Sequence, residues 1–246
     1  MMKTNPILTL AVAAALTCSS AAQGALLITE FMPDPSGTDA EREWVEIYNS
    51  GTTTIDLTNY KIGDEEAAPL DGPNGEGMFY FPAGATIAPG QVFTIANTST
   101  GFTSLYNGLK PTFEFNNLQS VAGDTDVAVP DMIRYADWAT GPFSLSNEND
   151  QVALVDPEDN IIDRADHGNA SGTWPKLGAN QSYERVPADQ DTNAPSDFIV
   201  RTSGNATPGV VTLVVVPEPG SVALLAVGTI ALLGRRRGDH AAGRTR

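Results

Sequence analysis

The chain has 246 residues, a formal net charge of −16 and a single cysteine, Cys18. Between residues 23 and 216 there are 28 acidic residues against 8 basic ones, a net charge of −20. Nucleic-acid affinity is largely phosphate neutralisation by Lys and Arg, so this balance excludes a nucleic-acid partner. The lone cysteine excludes an internal disulfide and a thiolate zinc site. The acidity suits a solubilising surface outside the cell, with divalent-cation binding as the sharper alternative.

Residues 1–24 have the layout of a secretory signal peptide. Lys3 supplies the charge, Ile7 to Leu16 the apolar core, and Ala22-Gln23-Gly24 a small-x-small cleavage site. Cleavage there removes Cys18. The Ala15-Leu16-Thr17 run before Cys18 is a poor lipobox, since a small residue should precede the lipidated cysteine. Strands separated by turns follow. Ala25 to Phe31 is an apolar run ended by the loop Met32-Pro33-Asp34-Pro35-Ser36-Gly37. Glu43 to Tyr48, Thr52 to Leu57, Asn59 to Ile62, Phe79 to Pro82 and Gln91 to Ala96 read as further strands. Phe102, Leu105, Tyr106 and Leu109 have i, i+3, i+4, i+7 spacing, which predicts one helix with Ser99 or Thr100 as N-cap and Gly108 near its end.

Residues 110–147 carry lone aromatics without a period and read as a long, partly ordered insertion. Gln151 to Val155 and Ile161 to Ala165 flank a turn at Asp156-Pro157-Glu158-Asp159-Asn160, and Ser182 to Val186 and Phe198 to Arg201 close the set. Short strands with this much Gly, Pro, Asn and Asp punctuation predict an all-β antiparallel sandwich over residues 25–209. Its expected core is Leu27, Val45, Ile47, Val92, Val152 and Leu154. Residues 210–216 read as a spacer.

The C-terminal end has three parts in order. Val216-Pro217-Glu218-Pro219-Gly220 leads into Ser221 to Gly234, which is uncharged, and Arg235, Arg236 and Arg237 follow. This resembles the PEP-CTERM sorting signal. The resemblance implies recognition and cleavage at Pro217-Glu218-Pro219 by an exosortase-type protease, in an envelope rich in exopolysaccharide. As a helix, 221–234 covers about 21 Å against roughly 30 Å of hydrocarbon, which suits transient membrane insertion better than a permanent span. The arginines form a basic stop on the cytoplasmic side. Residues 217–246 are therefore expected to be a sorting tail with a hydrophobic helix.

The central region resembles the lamin tail domain, an immunoglobulin-like sandwich. The resemblance is carried by Leu26-Leu27-Ile28-Thr29-Glu30-Phe31, by Glu43-Trp44-Val45-Glu46-Ile47-Tyr48-Asn49 with Asp56-Leu57 after it, and by Phe81-Pro82 and Ile87-Ala88-Pro89-Gly90. Asp150-Gln151-Val152-Ala153-Leu154, Ile162-Asp163 and Ser182-Tyr183-Glu184-Arg185 continue it, and Thr207-Pro208-Gly209 ends it. It implies a non-catalytic interaction module.

Candidate chemistry is sparse. His167 could join Asp166 or Asp163 in a Ser-His-Asp arrangement, but no G-x-S-x-G elbow is present and a surface histidine at a strand end explains it better. Glu46 shares a strand face with Trp44 and Tyr48, while Val45 and Ile47 point the other way. That carboxylate could be partly desolvated, or lie on a sugar-stacking platform. Alternatively the aromatics pack against neighbouring chain and Glu46 bonds to backbone. Asp156 to Asp163 lacks the D-x-D-x-D-G spacing of a calcium loop, and Asp34 and Asp39 are no stronger. No metal or cofactor is expected. The reading that results is an exported surface or matrix protein without catalytic activity, with exopolysaccharide or envelope proteins as partners. The alternative is a secreted hydrolase with a carboxylate site in the 110–147 insertion.

Overall fold

A computed structural model describes residues 26–64, 76–115, 126–138, 140–168, 173–202 and 204–213. The expected signal segment, the sorting motif Pro217 to Pro219, the apolar segment 221–234 and Arg235 to Arg237 lie outside the described residues. Among the described residues no helix is long and apolar enough to cross a membrane.

Thirteen strands follow in chain order among the described residues. They are β1 (Leu26–Met32), β2 (Trp44–Asn49), β3 (Ile55–Asp56), β4 (Lys61–Gly63), β5 (Met78–Tyr80), β6 (Thr86–Ile87) and β7 (Val92–Ala96), then β8 (Phe113–Glu114), β9 (Ile133–Arg134), β10 (Asp150–Val155), β11 (Ile161–His167), β12 (Ser182–Arg185) and β13 (Phe198–Arg201). One sheet runs β13-β12-β1-β2-β7-β8, the other β11-β10-β4-β5-β9, with β3-β6 as a two-stranded ribbon. Every pairing is antiparallel except β7 with β8. The result is the expected all-β, immunoglobulin-like sandwich.

Between the sheets lie Leu26, Ile28, Phe31, Val45, Ile47, Phe93 and Ile95 from the six-stranded sheet and Ile62, Phe79, Val152, Leu154 and Ala165 from the other. Two expected core positions are corrected. β1 carries a bulge: Ile28 pairs with Ile47 but Glu30 pairs with Glu46, so Thr29 has no partner of its own. An extra residue shifts the pleat by one, and the inward set becomes Leu26, Ile28 and Phe31. Leu27 is buried on the opposite face. On β7 the inward residues are Phe93 and Ile95, and Val92 is only partly buried.

The outer face of the six-stranded sheet is also covered. Helix α2 (Ser99–Leu105) packs Phe102 and, just past its end, Tyr106 edge-on against Trp44, with ring centroids 5.9 and 5.7 Å apart. Its N-cap is Thr98, one residue before the expected Ser99 or Thr100, and the Thr98 side chain accepts from the Gly101 amide at 2.9 Å. Leu109 falls beyond the helix and is 43% exposed, so it is not part of the apolar stripe its spacing suggested. A short helix absent from the expectation, α1 (Asp39–Arg42), lies beside α2. Gly101 makes the approach possible, since a Cβ there would sit 2.0 Å from the Glu41 carbonyl oxygen.

The described parts of the 110–147 stretch belong to the sandwich. β8 and β9 are edge strands, one in each sheet. Phe113, Phe115, Met132, Phe143 and Leu145 enter the main core, and the Phe115 and Phe143 rings stack at 4.2 Å. The chain also stays on the domain past Gly209. The Ala188 amide donates to the Thr212 carbonyl at 2.8 Å, so residues 210–212 of the expected spacer belong to the fold.

Candidate functional site

The Glu43–Asn49 segment organises the polar side of the domain. Val45 and Ile47 point into the core, and Trp44, Glu46 and Tyr48 point outward, as strand alternation requires. The outward face is closed. Trp44 and Glu46 are at most 1% exposed and Tyr48 6%. Trp44 donates its indole N–H to the Tyr106 hydroxyl at 2.8 Å. A sugar-stacking platform does not form, and the packed alternative does. Asn49 fixes the following turn: its side-chain amide donates to the Thr53 and Ile87 carbonyls and its oxygen accepts from the Gly51 amide, each at 2.9 Å.

Glu46 belongs to a row of three buried glutamates on adjacent strands. Glu30 on β1 pairs in register with Glu46 on β2 and with Glu184 on β12. The chain segment 204–213 crosses this row. The Gly209 amide donates to Glu46 at 2.6 Å, the Thr207 amide to Glu30 at 3.1 Å, and the Thr212 hydroxyl to Glu184 at 2.8 Å. Thr29, the bulge residue, donates to Glu46 at 2.7 Å, and Ser182 to Glu30 at 2.6 Å. Arg201 on β13 pairs with Glu184. Burial pushes the Glu30 carboxyl up to about 7 and that of Glu46 up to about 8, and neighbouring glutamates add to both. The charged forms lack a compensating cation of their own, so proton uptake is the cheaper outcome.

A second group fixes the end of the 110–147 stretch. The consecutive amides of Ser144, Leu145 and Ser146 donate to Asp64, Glu43 and Asp150 at 2.6, 3.1 and 2.6 Å. Burial holds Glu43 and Asp64 well above the usual carboxylate range. A third group joins the two sheets. Arg185 of β12 grips Asp163 of β11 with one terminal nitrogen at 2.8 and 2.9 Å from its two oxygens, and each side chain is 1% exposed. The guanidinium also donates to the Ile28 and Gln190 carbonyls and lies 4.5 Å from the Phe198 ring centroid. Despite this cation, burial pushes Asp163 up to about 6.

The proposed histidine arrangement is not assembled. His167 is fully buried, not at the surface, and neither ring nitrogen has a hydrogen-bond partner. Burial pushes its pKa down to about 4, opposed by the Ser146 backbone and aided by the Lys176 charge. Asp163 is committed to Arg185, and Asp166 pairs with Arg164 at 3.0 Å. Asp156 caps the β10–β11 turn, accepting from the Glu158 and Asn160 amides at 2.9 and 2.8 Å. Asp39 accepts from Asn147 at 3.0 Å, and the Asp34 carbonyl from the Asn180 amide. Among the described residues no group of three or more His, Cys, Asp or Glu side chains could hold a metal ion. A cleft of about 270 Å³ is lined by Ile161, Arg164, Asp166, Trp174 and Asn193.

The lamin tail domain family model matches residues 19–169, more than half of the chain. The chain belongs to the lamin tail domain family. The matched span ends before β12, yet this lamin tail domain needs β12 and β13 to complete its six-stranded sheet and to supply Arg185. A PEP-CTERM protein-sorting motif matches residues 215–237. No curated protein matches the chain. The crystal structure of a DUF4876 family protein from Bacteroides thetaiotaomicron VPI-5482 is similar over 79% of this chain and 73% of that one, at 15% identity and a TM-score of 0.49. Lamin tail domain and sorting motif together mark an exported protein directed through the inner membrane to the envelope or surface, with processing by exosortase.

Sequence reasoning singled out Glu46 and Asp163, and named Glu30, Glu184 and Arg185 only within the family motifs, without a role. Glu30 lies between Thr29 and Phe31 and Glu184 between Tyr183 and Arg185, so one aromatic neighbour each is the only local signal that they are covered.

Proposed function

We propose that this lamin tail domain is a non-catalytic module that displays a contact surface at the cell envelope, with exopolysaccharide or an envelope protein as its partner. The observation that carries the reading is how the buried carboxylates are used. Glu30, Glu43, Glu46, Asp64 and Asp163 each accept backbone amides. A general acid or base needs a free edge that faces a substrate, and these edges face the chain itself. Glu114, a buried carboxylate among the described residues of the 110–147 stretch, accepts from the Ser99 amide at 2.6 Å, which favours a positioning role over a hydrolytic one. The cleft beside Trp174 offers an aromatic edge next to the Arg164–Asp166 ion pair, a lining suited to a hydroxylated polymer.

The test has two arms on the purified chain. Ester, phosphodiester, peptide and polysaccharide substrates should show no turnover. Turnover that vanishes on changing one carboxylate in a variant that still folds overturns the reading. Binding to the host's own exopolysaccharide should be measurable and should weaken in Arg164→Ala.

A further inference from the structure

Residues 204–213 are connected to the sorting motif by only a few residues, and they carry no titratable side chain. They lie across the outer face of the six-stranded sheet, where Thr207, Gly209 and Thr212 donate to Glu30, Glu46 and Glu184. These contacts reach three adjacent strands, β1, β2 and β12. Pro208 is buried and Ala206 touches the Trp44 cluster, while Val210 is 64% and Leu213 47% exposed. Beside these contacts and the Ala188 amide on the Thr212 carbonyl, hydrogen bonds to the glutamate row hold the segment.

We propose that this segment is a detachable strap, and that the charge on Glu30 and Glu46 sets whether the sorting tail leaves the domain on a short tether or a long one. This rests on the sorting-motif match for what the tether carries. Seated, the strap is pinned at Thr212, five residues before Pro217, which at about 3.5 Å per residue is at most about 17 Å of chain. Released back to Thr202, the free chain is fifteen residues, about 50 Å. The longer tether lets a membrane-bound protease reach the motif without the folded domain pressed against it.

The strap's amides favour the charged carboxyls, but burial and repulsion within the row outweigh them, so the surroundings favour release into water when protons leave. Each neutral carboxyl can accept from the strap on one oxygen and exchange a proton with a hydroxyl on the other. Thr29 occupies that second side at Glu46 and Ser182 at Glu30. Two additional charges in this dry row would face Glu184, and one cation, Arg201, is already committed to Glu184. Tyr106 faces Glu30 from beyond α2, and Thr94 of β7, opposite Glu46, is uncharged. Asp189 adds a further negative charge near Tyr48 on the same face. The strap itself brings no cation to any of them.

Hydrogen exchange on the full chain tests this, with rates corrected for the intrinsic effect of pH. Between pH 6 and pH 9 the Thr207 and Gly209 amides should lose more than tenfold protection, while Val45 and Ile95 in the same sheet keep theirs. The variant Glu30→Gln/Glu46→Gln presents similar donors and acceptors but does not titrate, so its strap should stay protected at pH 9. If the double variant does not fold, Glu46→Gln alone should hold Gly209 at pH 9. Equal protection of the wild-type strap at both pH values overturns the proposal, as does unchanged pH-dependent loss in the glutamine variants. The readout uses purified protein, so it stands or falls independently of whether the tail is cut.

Discussion

Removing the Arg185 guanidinium should expose how much of the sandwich depends on one buried cation, which pairs with Asp163 at 2.8 Å, Asp191 at 3.2 Å and Asp197 at 3.5 Å. Arg185→Met keeps an apolar stem of similar length beside Phe198 and deletes every charged contact. Asp163 would keep only the Ile28 and Arg164 amides, at 2.7 and 2.8 Å, and the Ile28 and Gln190 carbonyls would each lose a donor. Leaving one partner of a buried pair costs about 3–5 kcal/mol. A domain of this kind has roughly 5–15 kcal/mol in total. With a urea m-value of about 2 kcal/mol/M, the midpoint at pH 8 should fall by about 1.5–2.5 M. At pH 5 the stranded carboxyl takes a proton, and the cost should fall to that of the lost hydrogen bonds, about 1–3 kcal/mol. Asp163→Asn/Arg185→Met should cost less than the two single changes added together. Trp174, 5.4 Å from Phe198, reports unfolding by its fluorescence. A midpoint shift under about 0.5 M, or equal shifts at both pH values, would refute this account of the pair.

Four other outcomes follow from the same structure. Glu30 and Glu46 are raised to about 7 and 8 from 4.5, so their contribution is full below about 4.5 and is lost as pH rises through 7 to 8. His167, lowered to about 4 from 6.5, works in reverse and loses its contribution as pH falls through about 4. Two falling carboxyl contributions outweigh one rising histidine contribution above about pH 4.5, so melting temperature should peak near pH 4.5 and fall toward pH 8, with Glu30 alone worth about 3 kcal/mol at about 1.4 kcal/mol per tenfold change in proton affinity; a flat profile from pH 5 to 8 contradicts this. Ile47→Ala, at a fully buried core position, should cost about 2–5 kcal/mol in urea unfolding. Millimolar calcium should move the melting temperature slightly and without saturation. A saturable gain of about 2.7 kcal/mol at a hundredfold excess over Kd would reveal a specific site. Intact-mass measurement of protein from the native host should find a mature form without residues 221–237, and a form that retains them refutes removal of the tail.

The fold was legible wherever a strand was long enough to show its period. β1, β2, β7, β10, β11, β12 and β13 fall within two residues of their expected bounds. β8 and β9 have two residues each and are shorter than one alternation, so no pattern could mark them. Phe113 of β8 and Phe115 just past it enter the core singly, and lone aromatics in a polar stretch look like an insertion. The inward residue of β1 was misjudged because the bulge at Thr29 is a backbone feature with no letter of its own. The candidate site was less legible for a simpler reason. A glutamate in a strand is written the same way whether its face is open or covered, and here the cover comes from residues 204–213, more than 150 positions away.

That long-range cover explains why so acidic a chain can bury this many carboxylates without a metal ligand set among its described residues. In two of the three groups backbone amides from irregular segments are donors: 144–146 for Asp64, Glu43 and Asp150, and 207–209 for Glu30 and Glu46. Irregular chain leaves amides that no sheet ladder satisfies, and a buried amide without a partner costs about as much as a lost hydrogen bond. Carboxyl groups fixed on rigid strands meet that need and give each loop one register. With its single cysteine confined to the expected signal segment, the domain has no disulfide to hold these loops. Its polar interior therefore does the work of a cross-link, and unlike a cross-link it responds to pH.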